Sequence, residues 1–167
     1  MWDWFTGRKP IDEPLLLSRQ GFDQRAIEQA LASVDLRVSP QPDATQFCIK
    51  AAANVARAVA ARAHFSLDDL DEGSKLVTAL FGLVAGDRFS ASLNASFSVV
   101  ASVIPVDLFG GDYAAEFPRL ERAYRRLGER SEVLKAISGN ISEWVLAPSD
   151  QRIERLAAAF VICRRHV

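Results

Sequence analysis

The stretch from Lys75 to Phe109 is the least polar part of this chain and constrains its fold more than any other segment. Before Asp107, its charged residues are Lys75 at its start and the adjacent pair Asp87 and Arg88 near its middle. A segment this apolar must be shielded from water, because exposed hydrocarbon surface is unfavourable there. The stretch is therefore predicted to form the centre of the fold, with the remaining elements packed around it.

The first half of this central stretch has the spacing of an amphipathic helix. Its apolar residues recur at positions i, i+3, i+4, i+7 and i+8, namely Leu76, Ala79, Leu80, Leu83 and Val84. Ser66 offers a side-chain cap before the pattern starts. Gly86 follows the pattern, and glycine often ends a helix in a left-handed conformation. These features predict a helix over residues 67–85.

The second half of the stretch, residues 89–104, fits two structures. Apolar residues alternate with mostly serine and asparagine, which is the pattern of a strand with one buried face. A helical stripe fits the same segment through Phe89, Leu93, Phe97, Val100 and Ile104. Sixteen residues are ordinary for a helix and long for a strand. We therefore favour a helix that ends before Pro105, with a short β hairpin within 89–103 as the alternative.

Two such helices, joined at Gly86–Arg88, would form a hydrophobic helical hairpin. Three roles are open to a hairpin of this kind. In the order that we favour them, they are a buried core pair, an oligomer interface and a membrane-inserting unit.

The rest of the chain carries helix start and stop patterns at short intervals. Asp23 and Asp43 precede helices predicted over 24–33 and 44–64, and Ser149–Asp150 precedes one over 150–165. Another helix is predicted over 118–127, and Ser138–Asn140 predicts a turn. Together these patterns predict an all-α bundle of about six to eight helices. A single domain spanning 1–167 is expected, with residues 1–38 as a possible N-terminal lobe or arm.

The composition indicates a globular protein of the cytoplasm. A net charge of −1 over 167 residues gives no electrostatic reason to expect a nucleic-acid partner. Two cysteines, Cys48 and Cys163, make no disulfide framework and suit a reducing cytosol. The first twenty residues lack the apolar run of a secretory signal. Arginine outnumbers lysine sixteen to four, as in proteins from GC-rich bacterial genomes.

No arrangement typical of catalysis, metal binding or nucleotide binding occurs in the sequence. The two histidines, His64 and His166, have no cysteine, histidine or carboxylate at ligand spacing. The acidic run 68–72 before Gly73 fits no register of a calcium-binding loop. A nucleophile elbow and a glycine-rich phosphate loop are both missing. We therefore favour a protein that is not an enzyme and that uses neither a cofactor nor a metal.

Two groups of residues are candidates for binding a partner. Three aromatic side chains crowd the N-terminus and suit a partner's groove or a membrane interface: Trp2, Trp4 and Phe5. Packing of these rings onto the chain's own core is the alternative. Three arginines share one face of the predicted helix 118–127 and suit carboxylate or phosphate groups: Arg119, Arg122 and Arg126. Acidic neighbours offer these arginines intrahelical pairs instead.

The expected function is that of a small bacterial regulatory or adaptor module that self-associates or binds a protein partner. One alternative is a peripheral membrane protein that uses its aromatic N-terminus as an anchor. Another is a helical protein that binds a small apolar ligand between its alanine-rich and serine-rich helices. These alternatives differ in partner, so co-purification, liposome flotation and bound mass distinguish them.

Overall fold

The computed structural model of the protein describes residues 21–66, 71–111 and 131–166. Six helices occupy these ranges: α1 Gln24–Ala32, α2 Ala44–Arg62, α3 Glu72–Leu93, α4 Phe97–Phe109, α5 Ser131–Leu146 and α6 Asp150–Arg165. The described ranges contain no strand. The all-α prediction is therefore confirmed, and the alternative of a β hairpin within 89–103 is wrong.

Helix α3 is the centre of the fold. Every residue from Leu76 to Ser90 is buried, and α2, α4, α5 and α6 all pack against it. At about 1.5 Å per residue, its 22 residues span about 33 Å. A helix that is apolar on all sides is buried on all sides, so α3 is a core helix and not the amphipathic helix that the sequence predicts.

The start of α3 also differs from the prediction. The helix begins at Glu72, with Asp71 as its N-cap; the Asp71 side chain accepts a hydrogen bond of 2.8 Å from the backbone N–H of Ser74. Residues 67–70 lie outside the described ranges, and neither Ser66 nor Asp71 is helical. The predicted cap at Ser66 is therefore wrong for this helix.

Gly86 lies inside α3 and does not end it. Its lack of a side chain is required by close helix packing and not by a turn. A Cβ atom at Gly86 would lie 2.7 Å from Cδ1 of Ile104 on α4. At Gly82, one turn earlier, a Cβ atom would lie 2.7 Å from Cγ2 of the same isoleucine. On α2, the Cβ atom of Ala52 would lie 3.7 Å from a Cβ atom at Gly86, and the Cβ atom of Ala56 would lie 3.7 Å from one at Gly82. Small residues thus bring three helices together along one line.

The turn between α3 and α4 lies later in the chain than predicted. Asn94 takes a left-handed conformation, with φ of 57°, and its N–H donates to the Ser90 carbonyl at the end of α3. Helix α4 then starts at Phe97, with Ser96 as its N-cap. The predicted joint at Gly86–Arg88 is therefore wrong, although two apolar helices do follow each other here.

Two further predicted breaks, the helix end before Pro105 and the turn at Ser138–Asn140, are also wrong. Helix α4 continues through Pro105 to Phe109, although proline removes one backbone hydrogen bond. Helix α5 continues through the predicted turn at Ser138–Asn140 to Leu146. Ile104 on α4 and Ile141 on α5 are fully buried, so tertiary packing outweighs the local preference for a break.

A guanidinium group ties the last helix to the start of the central one. Arg164 of α6 donates from Nη2 to Asp71 Oδ2 at 2.8 Å and from Nε to Ser74 Oγ at 3.0 Å. Its Cζ would lie 2.8 Å from a Cβ atom at Gly73. The glycine in the first turn of α3 therefore leaves room for this arginine.

Candidate functional sites in the core and on helix α4

The residues predicted to bind a partner lie outside the described ranges. These are the three N-terminal aromatic residues and the three arginines of the predicted helix 118–127: Trp2, Trp4, Phe5, Arg119, Arg122 and Arg126. Their roles stay predictions. Two other groups of residues, one in the core and one on the surface, lie within the described ranges and are candidate functional sites.

The first group surrounds the two charges in the middle of α3. Asp87 is 3% exposed and Arg88 is completely buried. Arg88 donates from Nε to Ser142 Oγ of α5 at 3.1 Å. Because α3 is enclosed by four other helices, both charges are held away from bulk water in the middle of the core.

Burial dominates the electrostatics of this pair. Loss of hydration raises the pKa of Asp87 to about 7, against the opposing attraction of Arg88. The same loss of hydration lowers the pKa of Arg88, and the charge of Asp87 works in the other direction. Near neutral pH the Asp87 carboxyl is therefore poised to gain or lose a proton.

Two polar side-chain atoms of α5 are buried and have no hydrogen-bond partner within the described ranges. Ser138 lies one turn before Ser142 on α5, and its Oγ has no partner within the described part of the chain. The same holds for Nε1 of Trp144. A buried polar atom that makes no hydrogen bond costs folding free energy.

The cysteines offer no reactive thiol. Burial raises the pKa of Cys48 to about 11, and a hydrogen bond with Ser90 acts in the opposite direction. Burial also raises the pKa of Cys163. A thiolate is the reactive form, so both side chains act as small core residues.

The described ranges contain no cluster of three or more histidine, cysteine or acidic side chains that could hold a metal ion. His64 and His166 are exposed and lie at the ends of α2 and α6. Within the described part of the chain, these side chains therefore form no metal-ligand geometry.

The second group lies on the outward side of α4. Within the described ranges, four large hydrophobic side chains are exposed: Val99, Val103, Leu146 and Ile162. Val99 is 47% exposed and Val103 is 36% exposed, and they lie one turn apart on the same side of the helix. Ser98 and Ser102 beside them are also exposed. We call the residues Ser98, Val99, Ser102 and Val103 the α4 valine face.

A cluster of charges adjoins the C-terminal end of this face. The Asp107 carboxylate accepts a hydrogen bond from Lys50 Nζ of α2, and Arg57 Nη2 lies 3.5 Å from Asp107 Oδ2. Arg57 also donates to the Asp107 carbonyl at 2.8 Å and to Asn54 Oδ1 at 2.9 Å. Two cations therefore share one carboxylate, and the cluster carries a net positive charge.

The sequence contained a pattern that marks the α4 valine face. Val99 and Val103 stand four residues apart beside serines, and the residue that follows each of them, Val100 or Ile104, is buried. The sequence predicts the whole stretch from Lys75 to Phe109 to form the centre of the fold, because it is the least polar part of the chain. The predicted helical stripe through Phe97, Val100 and Ile104 is buried, and the structure shows that Val99 and Val103 face water.

Within the described ranges, α3 is the one helix that is long and apolar enough to cross a membrane, and it is largely enclosed by the fold. A buried core helix has the same length and composition. No family model, curated protein or solved structure matches this chain. The candidate sites are therefore defined by their own chemistry.

Proposed function

We propose that this protein is a non-enzymatic interaction module that binds another protein chain through the α4 valine face. A small regulatory or adaptor protein of the cytoplasm would work in this way. The observation that carries the proposal is the exposure of Val99 and Val103 on an apolar helix whose other side, with Val100 and Ile104, is buried.

Two features favour a binding surface over chance exposure. Two of the four exposed large hydrophobic side chains in the described ranges lie on this single helix, one turn apart. Between Phe97 and Val106, α4 contains no charged residue. A contiguous apolar surface bordered by polar groups is typical of protein interfaces, whereas single exposed hydrophobic residues are not.

The test compares the proteins that co-purify with the full chain and with two variants. Val99→Asp combined with Val103→Asp places two charges on the α4 valine face. Ile162→Asp is the matched control, because Ile162 is 54% exposed but lies on α6. Quantitative mass spectrometry then measures which proteins each chain retains from its own host, and sedimentation measures self-association.

We expect a bound protein, or the self-associated form, to be lost with the α4 variant and retained with Ile162→Asp. The proposal fails if both variants retain the same proteins and the same oligomeric state as the unchanged chain. Retention by vesicles that is independent of the α4 variant would favour the membrane alternative instead.

A further inference from the structure

We propose that the α4 valine face takes an amphipathic helix whose polar side is acidic. This inference rests on the proposed function and adds the chemistry of the partner. It follows from the positions of the two valines and of the cations beside them.

The apolar and the charged parts of the surface lie on one line along α4. Val99, Val103 and Asp107 are spaced at i, i+4 and i+8, so they share one side of the helix. At about 1.5 Å per residue, Asp107 lies about 6 Å beyond Val103 along the axis. A partner helix that covers both valines therefore passes directly beside Lys50 and Arg57.

The charged residues of α2 and α4 favour an acidic partner. Helices α2 and α4 together contain three cations, Lys50, Arg57 and Arg62, and the single carboxylate of Asp107. Arg62 is directed to Glu154 of α6 at 3.1 Å. The Lys50 side chain is 45% exposed, whereas the Asp107 side chain is only 11% exposed. An approaching molecule therefore meets cations before it meets the carboxylate.

A second copy of the chain fits this surface less well. Antiparallel pairing of two α4 helices would place the Lys50–Arg57 end of each copy beside Ser96 and Ser98 of the other. The first nine residues of α4 contain no carboxylate, so the cations would find no opposite charge on that part of the partner helix. Like-charged or unmatched groups at an interface lower affinity for the wrong partner.

An anionic membrane also fits less well than an acidic helix. Helices that bind in the membrane interface present long stripes with tryptophan, phenylalanine or leucine and many lysines or arginines. The α4 valine face presents two valines, two serines and cations at one end only. A helix laid along α4 would instead match the valines with side chains one turn apart.

The test uses a displayed library of 16-residue peptides with leucine at positions 1, 4, 8 and 11. The remaining positions are drawn from alanine, glutamine, glutamate and lysine. The full chain is panned against this library, and the net charge of the enriched peptides is measured. Representative acidic, neutral and basic peptides are then titrated by fluorescence anisotropy at low and high salt.

The expected result is enrichment of acidic peptides, with about tenfold tighter binding of the acidic than of the basic version at low salt. Lys50→Gln should reduce the preference for the acidic peptide about threefold. Lys75 is a half-buried lysine on α3, and Lys75→Gln should leave this preference unchanged. Val99→Asp should abolish binding of every version.

Enrichment of neutral or basic peptides, or of none, overturns the acidic-helix inference. Binding to anionic vesicles that depends on Lys50, without peptide enrichment, overturns it in favour of a membrane. Neither result overturns the proposed function, which is decided by whether the α4 variant loses a co-purifying protein or its self-association.

Discussion

Asp87 places a carboxyl group in the most deeply buried stretch of the molecule. A carboxylate held away from water is destabilised relative to its protonated form, and the pKa of Asp87 is raised to about 7 accordingly. Arg88 offsets part of this cost through its charge. The pair therefore makes folding stability depend on pH in a window where most other carboxyl groups have finished titrating.

The sign of this dependence follows from proton binding. Between about pH 4 and pH 7 the folded protein keeps the Asp87 proton, whereas the unfolded chain, with a pKa near 3.8, has lost it. Stability from this group is therefore complete below about pH 4 and is lost as the pH rises towards 7. The change is on the order of a few kcal/mol, since one pKa unit corresponds to about 1.4 kcal/mol.

Replacement of Asp87 by asparagine should remove this dependence. We expect the free energy of unfolding of the unchanged chain to fall between pH 4 and pH 7, and that of Asp87→Asn to vary much less over the same range. Urea unfolding followed by circular dichroism at several pH values measures both. Parallel pH profiles for the two proteins would contradict the assignment of a raised pKa to Asp87.

The close packing of α3 against α4 depends on glycines, which have no side chain at the contact. Gly82→Ala would place a methyl group 2.7 Å from Cγ2 of Ile104, which cannot move away easily because its side chain is branched at Cβ. We expect a loss of about 1–3 kcal/mol in the free energy of unfolding, as is usual for overpacked cores.

A second glycine supplies the control for this prediction. Gly139 lies within α5, and a Cβ atom there would have no atom within 4 Å. Gly139→Ala should therefore stabilise the protein by about 0.5–1 kcal/mol, through helix propensity alone. Equal effects of the two substitutions in urea unfolding would show that helix packing does not require Gly82.

The Arg164 contact between α6 and α3 should be visible in the titration of Asp71. Hydrogen bonds from Arg164 and Ser74 lower the pKa of Asp71 to about 2. Arg164→Gln should raise this pKa, as measured by NMR titration, whereas Arg165→Gln should not. The stability that Asp71 contributes is lost as the pH falls from about 4 to about 2, and this loss should be smaller in Arg164→Gln.

The ends of helices were predictable where side chains cap them and unpredictable where packing decides. Asp23 and Asp43 accept hydrogen bonds from Ala26 and Gln46, as their positions before apolar patterns predict. By contrast, Gly86, Pro105 and Gly139 lie inside helices, although each favours a break locally. At Gly86, the contact that overrides this preference comes from a residue distant in sequence, Ile104, which also packs against Gly82.

The candidate surface was harder to predict than the fold. An apolar pattern identifies residues that avoid water, but α4 uses one side for the core and leaves Val99 and Val103 exposed. The charges that border this surface come from α2, about fifty residues earlier. Only the packing of α2 against α4 brings the two features together.

Across the whole molecule, the core and the α4 valine face should respond differently to the same substitution. Val99→Asp changes an exposed side chain and should alter the free energy of unfolding by no more than about 0.5 kcal/mol. Val100→Asp changes its completely buried neighbour and should cost on the order of 4 kcal/mol or more, because a charge enters the core. Thermal unfolding of the two variants measures the difference.

If Val99→Asp unfolded the chain as Val100→Asp is expected to, Val99 would belong to the core and the α4 valine face would have no free surface to offer. A folded Val99→Asp variant, in turn, allows loss of binding to be interpreted as loss of an interface.

The most direct measurement of the central claim is photo-crosslinking in living cells of the host. A photoreactive amino acid replaces Val99 in one chain and Ile162, an exposed hydrophobic residue on α6, in another. We predict a crosslinked protein at position 99 that is missing at position 162 and that disappears when Val103→Asp is added. Identical crosslinks at both positions, or none at position 99, would contradict the claim that α4 is the interaction surface.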